Sequence, residues 1–322
     1  MISSLELHKK LKAAWEYRKA FVQKEKLEAF RLVHGEGDAL PGMNIDFYAG
    51  SFLIIFQNAE GVVPQKEFER GLTELEIGAV SKPRFYFCYN FSDDLPSLSL
   101  RGGSTGLTRP ETKIIREGDL SFEIHLGEGL HTGLFLDQRE NRKQVVTFSK
   151  NKKVLNLFGY TGAFTLSALQ GGAGHVTSVD LSKNYLTWLK RNADLNKFFV
   201  SQMSNLARDV FQFLEEAQKK KELFDLIILD PPTFSRGRKK SFSTSKDLAE
   251  LVSSTARCLA PGGKMFVSVN TQGLSPDQFK DQILQAISPL KLKILQKGNL
   301  PQDFRLSPKD QQNPPLKSCW VG

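Results

Sequence analysis

Four short stretches carry residue types suited to holding a nucleoside and a flat substrate side by side. The first is Asn156-Leu157-Phe158-Gly159-Tyr160-Thr161-Gly162, which follows the apolar run KKVLNLF. Glycines there let the backbone turn tightly and approach a ligand closely. The pattern is neither GxGxxG nor GxxxxGK, so it makes no phosphate cradle of either kind. A plain tight turn would read the same way. The second is Asp180, at the end of HVTSVD and 18 residues beyond Gly162. An acid in that place can accept from both hydroxyls of a ribose. The third is Asp209 in ARDVFQFL, placed either to bind an adenine amino group or to cap the helix that follows. The fourth is Asp230-Pro231-Pro232-Thr233-Phe234. Its prolines fix the backbone into a rigid lip, and the aromatic just beyond can stack on a base. Prolines with a packing Phe also occur in ordinary turns.

These stretches need elements that bring them together. From about residue 127 onward, short apolar runs alternate with helical segments: KKVLNLF, FTLSALQGG, HVTSVD, SKNYLTWLKRNADLN, FDLIILD, DLAELVSSTARCLA and KMFVSVN. That alternation predicts an α/β fold with a mainly parallel, doubly wound sheet. In such sheets ligands sit beyond the carboxyl ends of the strands, at the switch point. All four stretches fall at successive strand ends. The Gly turn holds no positive residue to meet a phosphate, which favours S-adenosylmethionine over NAD or ATP. Ahead of this domain (126–322) the texture differs. Residues 1–30 read as an N-terminal helix over 4–30, with Leu5, Leu11, Ala14, Trp15, Tyr17, Phe21, Leu27 and Phe30 as its apolar stripe. Residues 31–125 read as a small α+β domain, with strands at 85–91 and 120–126 and a loop at 101–109.

The 322-residue length suits two domains. No apolar run approaches the roughly 18 residues needed to span a bilayer, and the N-terminus lacks the apolar core of a signal peptide. Three widely spaced cysteines, Cys88, Cys258 and Cys319, argue against a disulfide framework or a cysteine-based metal site. The expectation is a cytoplasmic protein with reduced thiols, without metal or membrane. A net charge of +9 suits a polyanion partner such as nucleic acid. It suits a mildly basic enzyme with no such partner equally well.

HTGLFLDQRENR (131–142), VLNLFGYTGAFTLSAL and FDLIILDPPTFS together resemble the class I methyltransferases of the bacterial 23S rRNA family. The resemblance runs from about residue 12 to the C-terminus. It implies a Rossmann-like, seven-stranded sheet, S-adenosylmethionine as cofactor, and 23S rRNA or a large-subunit precursor as partner. It also leaves room for a homodimer. Carried onto this chain, Asn156, Phe158, Tyr160, Thr161 and Gly162 shape the methionine side of the site, Asp180 holds the ribose and Asp209 the adenine. Phe135 and Asp137 would cover the cofactor from a lid-like hairpin. Asp230 and Pro231 border the methyl group, and Phe234 stacks on the target base. Arg236, Arg238, Lys239 and Lys240 would draw in RNA, whereas Lys219, Lys220 and Lys221 read as a solvated helix end.

Two chemistries occur within that resemblance. The 5-methylcytosine (RlmI-type) enzymes usually carry a PUA domain and a catalytic cysteine on the strand after DPPxF. FRLVHGEGDALPGMNIDFY is closer to them, although the chain starts at the helix that would follow a PUA domain. The later stretches, with LPQDF and SCWV near the C-terminus, look more like the guanine-N7 methyltransferase half of RlmKL. Cytosine C5 needs a thiolate to add at C6, and the corresponding place in VSVNTQG holds Asn270 and Thr271. Cys258 reads as a small buried helix residue, and Cys319 in the last strand stays a weak nucleophile candidate. Guanine N7 needs no covalent step, only alignment. Elimination therefore points to N7, with an exocyclic amine or a ribose hydroxyl also compatible. A methyltransferase acting on protein or small molecules, and a non-catalytic RNA-binding assembly factor, are the competing classes.

Overall fold

The computed structural model describes residues 2–58, 64–80, 82–89, 101–102, 109–129, 131–236 and 241–322. For Phe234–Arg236 it describes the backbone alone. The chain divides into two compact units: Met1–Leu136 with Pro301–Gln311, and Asp137–Leu300 with Gln312–Gly322. The packing boundary thus falls after Leu136 rather than at 125/126, and a late segment returns to the first unit.

In the first unit, helix α1 (Ser4–Glu25) is followed by strands β1 (Ala29–His34), β2 (Met43–Tyr48) and β3 (Ser51–Phe56). Helix α2 (Gln65–Thr73) and strands β4 (Arg84–Tyr89) and β5 (Arg101–Gly102) come next. The sheet order is β1-β2-β3-β4-β5, and β6 (Glu111–Glu117) and β7 (Leu120–Leu126) form a separate antiparallel hairpin. Helix α1 stops five residues short of the expected position 30. Lys26 takes a left-handed conformation (φ 51°), and its N–H caps the helix carbonyls of Val22 and Gln23. Phe30 is therefore a strand residue. The buried stripe is Leu7, Leu11, Ala14, Trp15, Arg18 and Val22, spaced three or four apart. Leu5 and Tyr17, expected in the stripe, are 68% and 41% exposed. The arginine in the stripe is answered by Asp38: Nη1 donates to Oδ1 at 2.9 Å and Nη2 to Oδ2 at 2.7 Å. Arg18 Nε donates to the Asp303 carbonyl, and Asp303 Oδ2 accepts from the Arg31 N–H. The return segment is thereby fixed to α1 and β1.

The second unit begins with α3 (Arg139–Phe148), β8 (Lys153–Leu157), α4 (Ala163–Gln170), β9 (His175–Asp180) and α5 (Lys183–Leu195). It continues with β10 (Met203–Ala207), α6 (Val210–Lys219), β11 (Phe224–Leu229) and the short pair β12 (Phe234–Arg236) and β13 (Ser241–Ser243). Then follow α7 (Thr244–Ala256), β14 (Leu259–Asn270), α8 (Pro276–Ile287), β15 (Ile294–Lys297), the short α9 (Pro308–Gln312), which crosses from the first unit, and β16 (Leu316–Val321). The seven-stranded sheet has the order β10-β9-β8-β11-β14-β16-β15. Its first five strands run parallel and β16 is antiparallel to both neighbours. Strands read as unbroken apolar runs because both faces are covered. Leu155, Leu157, Ile227, Leu229 and Val267 face α6, α7 and α8. Val154, Leu226, Ile228, Phe266 and Trp320 face the opposite cluster with α4 and α5. Pro261-Gly262-Gly263, between the helical run DLAELVSSTARCLA and the strand run KMFVSVN, makes an irregularity within β14. Phe224 pairs with Leu259 but Leu226 pairs with Lys264.

Candidate active site

The parallel register lines up the strand ends. Leu157 pairs with Val179 and Leu229, Ala207 with Asp180, and Leu229 with Val267. The residues just beyond these pairs therefore share one edge of the sheet: Phe158, Asp180, Asp209, Asp230 and Ser268. The strand order reverses between β8 and β11, which is the switch point.

The turn after β8 is strained. Phe158 and Tyr160 sit at φ 57° and 47°, and Gly162 at 88°. Bulky side chains seldom hold such angles, and they persist where surroundings over-determine them. Those surroundings are visible. The N–H of Gly159 donates to the Val179 carbonyl at 3.1 Å, and Tyr160 N–H donates to Asp180 Oδ2 at 3.0 Å. Asn192 Nδ2 donates to the Thr161 carbonyl at 2.9 Å. Beneath the turn, the fully or nearly buried Asn156, Thr165 and Ser178 are joined by hydrogen bonds of 2.9 and 2.7 Å. At Gly162 a Cβ would come within 2.3 Å of Leu189 Cγ, so α5 packs where a side chain would stand. Asp180 Oδ1 accepts from the Ser182 N–H at 2.8 Å. Burial pushes its carboxyl up, and the two backbone N–H groups pull against that. Asp209 caps α6, its Oδ1 accepting from the N–H groups of Phe211 and Gln212. Of the two readings open in the sequence, the cap is thus present.

Asp230 is the most strongly organised acid on the edge. Its Oδ1 accepts from Ser268 Oγ at 2.5 Å and from Gln138 Nε2 at 3.2 Å. Burial, and after it the neighbouring Asp137 charge, push its carboxyl up to about 6, while the Ser268 bond, Arg142 and the Gln138 bond oppose the shift. Asp137 itself is 9% exposed and accepts from Asn270 Nδ2 at 2.8 Å. Thr233 Oγ1 donates to the Asn270 carbonyl, which ties the lip after β11 to the end of β14.

The segment 136–142 departs from the expected lid-like hairpin. Leu136–Gln138 form a single 3-10 turn that runs into α3. Asp137, Gln138, Arg139, Asn141 and Arg142 are all buried, so the run DQRENR packs within the second unit. Phe135 belongs to the first unit, is 42% exposed and meets His131 edge-to-face. Asn156, Phe158, Tyr160, Thr161, Gly162, Asp180, Asp209, Asp230 and Asp137 all belong to the second unit. Pro231 is buried beside Asp230. Phe234 and Arg236 fall on β12. Arg238, Lys239 and Lys240 lie outside the described residues. Gln138, Asn141 and Ser268 were missed as site residues, because they neither titrate nor form a motif. Two of them stand inside the quoted DQRENR, which was the available signal.

The edge gathers the carboxylates of Asp180, Asp209 and Asp230, and its turn has no Lys or Arg. A pyrophosphate would meet like charge there, whereas a nucleoside bearing a cationic sulfonium meets opposite charge. The residues present therefore fit S-adenosylmethionine.

A doubly wound sheet with this strained turn, an acid at the end of β9 and a proline lip after β11 defines the fold of a class I nucleoside-dependent transferase. The chain belongs to the S-adenosylmethionine-dependent methyltransferase family, whose model matches residues 31–307. It is 35% identical over 303 residues to YwbD of Bacillus subtilis (strain 168), provisionally named a ribosomal RNA large subunit methyltransferase; the match covers 92% of this chain and 75% of YwbD. It is 34% identical to ribosomal RNA large subunit methyltransferase I of Aeromonas salmonicida (strain A449), over 86% of this chain and 69% of the relative. Ribosomal RNA large subunit methyltransferase K/L of Shewanella amazonensis (strain ATCC BAA-1098 / SB2B) is 30% identical, over 97% of this chain and 42% of the relative. Among solved structures, SMU.776, provisionally a methyltransferase and complexed with SAH, superposes with a TM-score of 0.90 at 29% identity, covering 100% of this chain and 82% of that one. Among the described residues, no helix is long and apolar enough to cross a membrane.

Proposed function

We propose that this protein methylates a base of 23S ribosomal RNA and that its target atom is guanine N7. The named relatives support a large-subunit rRNA substrate, and the net charge of +9 suits a polyanion. The N7 reading is carried by one observation: no cysteine stands where C5 chemistry needs one. Asn270 ends β14 at that place, exposed and bonded to Asp137. Cys88, Cys258 and Cys319 are all buried. Burial pushes Cys258 up to about 11 and Cys319 up to about 12, and raises Cys88. A nucleophilic cysteine must be accessible and form thiolate readily.

S-adenosylmethionine supplies an electrophilic methyl group on a positively charged sulfur. Asp180 and Asp209 hold the ribose and adenine in this reading, and the turn from Phe158 to Gly162 shapes the methionine side. Phe234 stacks on a guanine that has left its helix, and Arg236, Arg238, Lys239 and Lys240 contact phosphates. With the cofactor bound, these residues would hold guanine N7 in line with the methyl group and exclude water, and the positive charge left on the methylated ring would fall beside Asp230. An ionised Asp230 beside the ring stabilises that charge as it develops.

The 5-methylcytosine reading keeps specific support from FRLVHGEGDALPGMNIDFY and the 34% identity to methyltransferase I. Product analysis separates the two. Unmodified 23S rRNA is incubated with the protein and labelled S-adenosylmethionine, digested to nucleosides, and read by mass spectrometry. Labelled 7-methylguanosine is expected. Labelled 5-methylcytidine would overturn the N7 assignment and require the sheet around Cys319 or Cys258 to open.

A further inference from the structure

The hydrogen bonds behind Asp230 run in one direction, and a backbone group sets that direction. The Asn299 N–H can only donate, and it meets Asn141 Oδ1 at 2.9 Å. The other end of that side-chain amide must then be Nδ2, which donates to Gln138 Oε1 at 2.7 Å. Gln138 consequently presents Nε2, which donates to Asp230 Oδ1 and to Ser268 Oγ, each at 3.2 Å. Ser268 has accepted from Gln138, and its single hydroxyl proton goes to Asp230 Oδ1 at 2.5 Å. Amide orientation is ordinarily ambiguous; here each step follows from the one before. The members are 3%, 0% and 0% exposed at Gln138, Asn141 and Ser268. The approach is also close: a Cβ on Gly298 would stand 2.9 Å from Asn141 Oδ1 and 2.0 Å from Ser318 Oγ. Both bonds reaching Asp230 end on Oδ1, and among the described residues none reaches Oδ2.

We infer that Gln138, Asn141 and Ser268 are positioning residues, forming a one-way relay from the Asn299 N–H that locks Asp230 as an acceptor, with Oδ1 filled and Oδ2 turned to the reacting base. The inference rests on the reading that Asp230 stands beside the methyl transfer. Its physical content is a balance of charge. Asp137 faces Asp230 and resists its ionisation, while Arg142 and the two relay donors favour it. Without the donors, desolvation and Asp137 have less opposition, and the carboxyl takes up a proton at higher pH. A protonated Asp230 no longer supplies the negative charge that the methylated ring needs.

The relay is tested by titrating Asp230 directly in the full chain, using carboxyl-labelled aspartate and carbon NMR with Asp230→Asn to assign the signal. Ser268→Ala removes one donor. Gln138→Glu keeps the shape but sets a carboxylate against Asp230 Oδ1. The wild-type midpoint is expected at about 6. Ser268→Ala should move it up by about one pH unit, the size of a lost charge-assisted hydrogen bond, and Gln138→Glu further. Ser268→Thr, which keeps the hydroxyl, should return it to the wild-type position. Asn141→Leu, two bonds away, should move it up less than Ser268→Ala does. The acid limb of kcat for rRNA methylation should follow the NMR midpoints, with KM for S-adenosylmethionine changing less than kcat. Unmoved midpoints in folded Ser268→Ala protein overturn the relay, and that smallest change guards against misfolding of the Gln138 variants. Midpoints that move under an unmoved rate profile support the relay and remove Asp230 from the reaction instead.

Discussion

Each unit buries a polar network, but the two differ in whether every charge finds its answer inside. In the first, Arg18 and Asp38 are wholly out of solvent and meet through two parallel hydrogen bonds. The remaining capacity is filled by the Ala14 and Asp303 carbonyls and by the His34 N–H. In the second, among the described residues, the chain of donors from Asn299 through Asn141, Gln138 and Ser268 ends on one oxygen of Asp230 and goes no further. Asp230 also faces a like charge, Asp137. A closed network of this kind holds a fold together. An open one that ends in a disfavoured charge is costly for the fold, which makes it a marker of function.

The contrast predicts opposite signatures. Removing Arg18 leaves the Asp38 carboxylate buried with only the His34 N–H at 2.7 Å and the more distant Arg305 guanidinium at 3.9 Å. Arg18→Ala should therefore cost about 3–5 kcal/mol of unfolding free energy in a denaturant titration, the usual penalty for orphaning a buried ion. Methyl transfer by the fraction that stays folded should be little changed. A cost below about 1 kcal/mol would break the comparison, because Asp38 would then have another way to be satisfied.

Asp230→Asn should do the reverse. It keeps an acceptor for Ser268 and Gln138 but removes the charge. Loss of electrostatic stabilisation of this kind costs about 10²–10³ in kcat. Its effect on stability has a definite sign. The folded carboxyl titrates near 6, above the roughly 3.9 of an unfolded aspartate. Its ionisation thus weakens the fold progressively from about pH 4 to 6, and fully above that. The Asn variant should melt at a higher temperature than wild type at pH 7–8, and the gain should vanish near pH 4. Wild-type rate with a lowered melting temperature would place Asp230 among the structural groups.

How much of this was legible beforehand follows the same division. The apolar run DLIIL in β11 announces a strand covered on both faces, and Asp180 and Asp230 are found by counting to strand ends. The Arg18 stripe is not, because its partners lie 20 and 285 residues away, and a charged residue interrupts the apolar periodicity. The end of α1 at Lys26 carries no Gly or Pro to announce it. The relay combines the turn before α3, α3 itself, the end of β14 and the backbone after β15. Amides and a serine carry no charge and no spacing rule, so only their convergence on one oxygen reveals them. DQRENR carries only polar and charged residues, yet five of its six are buried: Asp137, Gln138, Arg139, Asn141 and Arg142.

Asp209 lies between the two cases and gives the smallest expected effect. It caps α6 through one oxygen, and in the proposed function it also accepts from the adenine amino group. The two roles separate by substitution. Asp209→Ala loses the cap and should cost about 1 kcal/mol of stability. Asp209→Asn keeps a capping oxygen, since asparagine caps about as well as aspartate, and should leave stability within about 0.5 kcal/mol. Its other atom is now a donor, and a donor facing an adenine amino group repels it. Calorimetric titration with S-adenosylmethionine should then show weaker binding by Asp209→Asn than by wild type, on the order of tenfold for one mispaired hydrogen bond. Equal affinity would make Asp209 a cap alone and move it to the structural side of the comparison, leaving Asp180 and the turn at Phe158–Gly162 to hold the nucleoside.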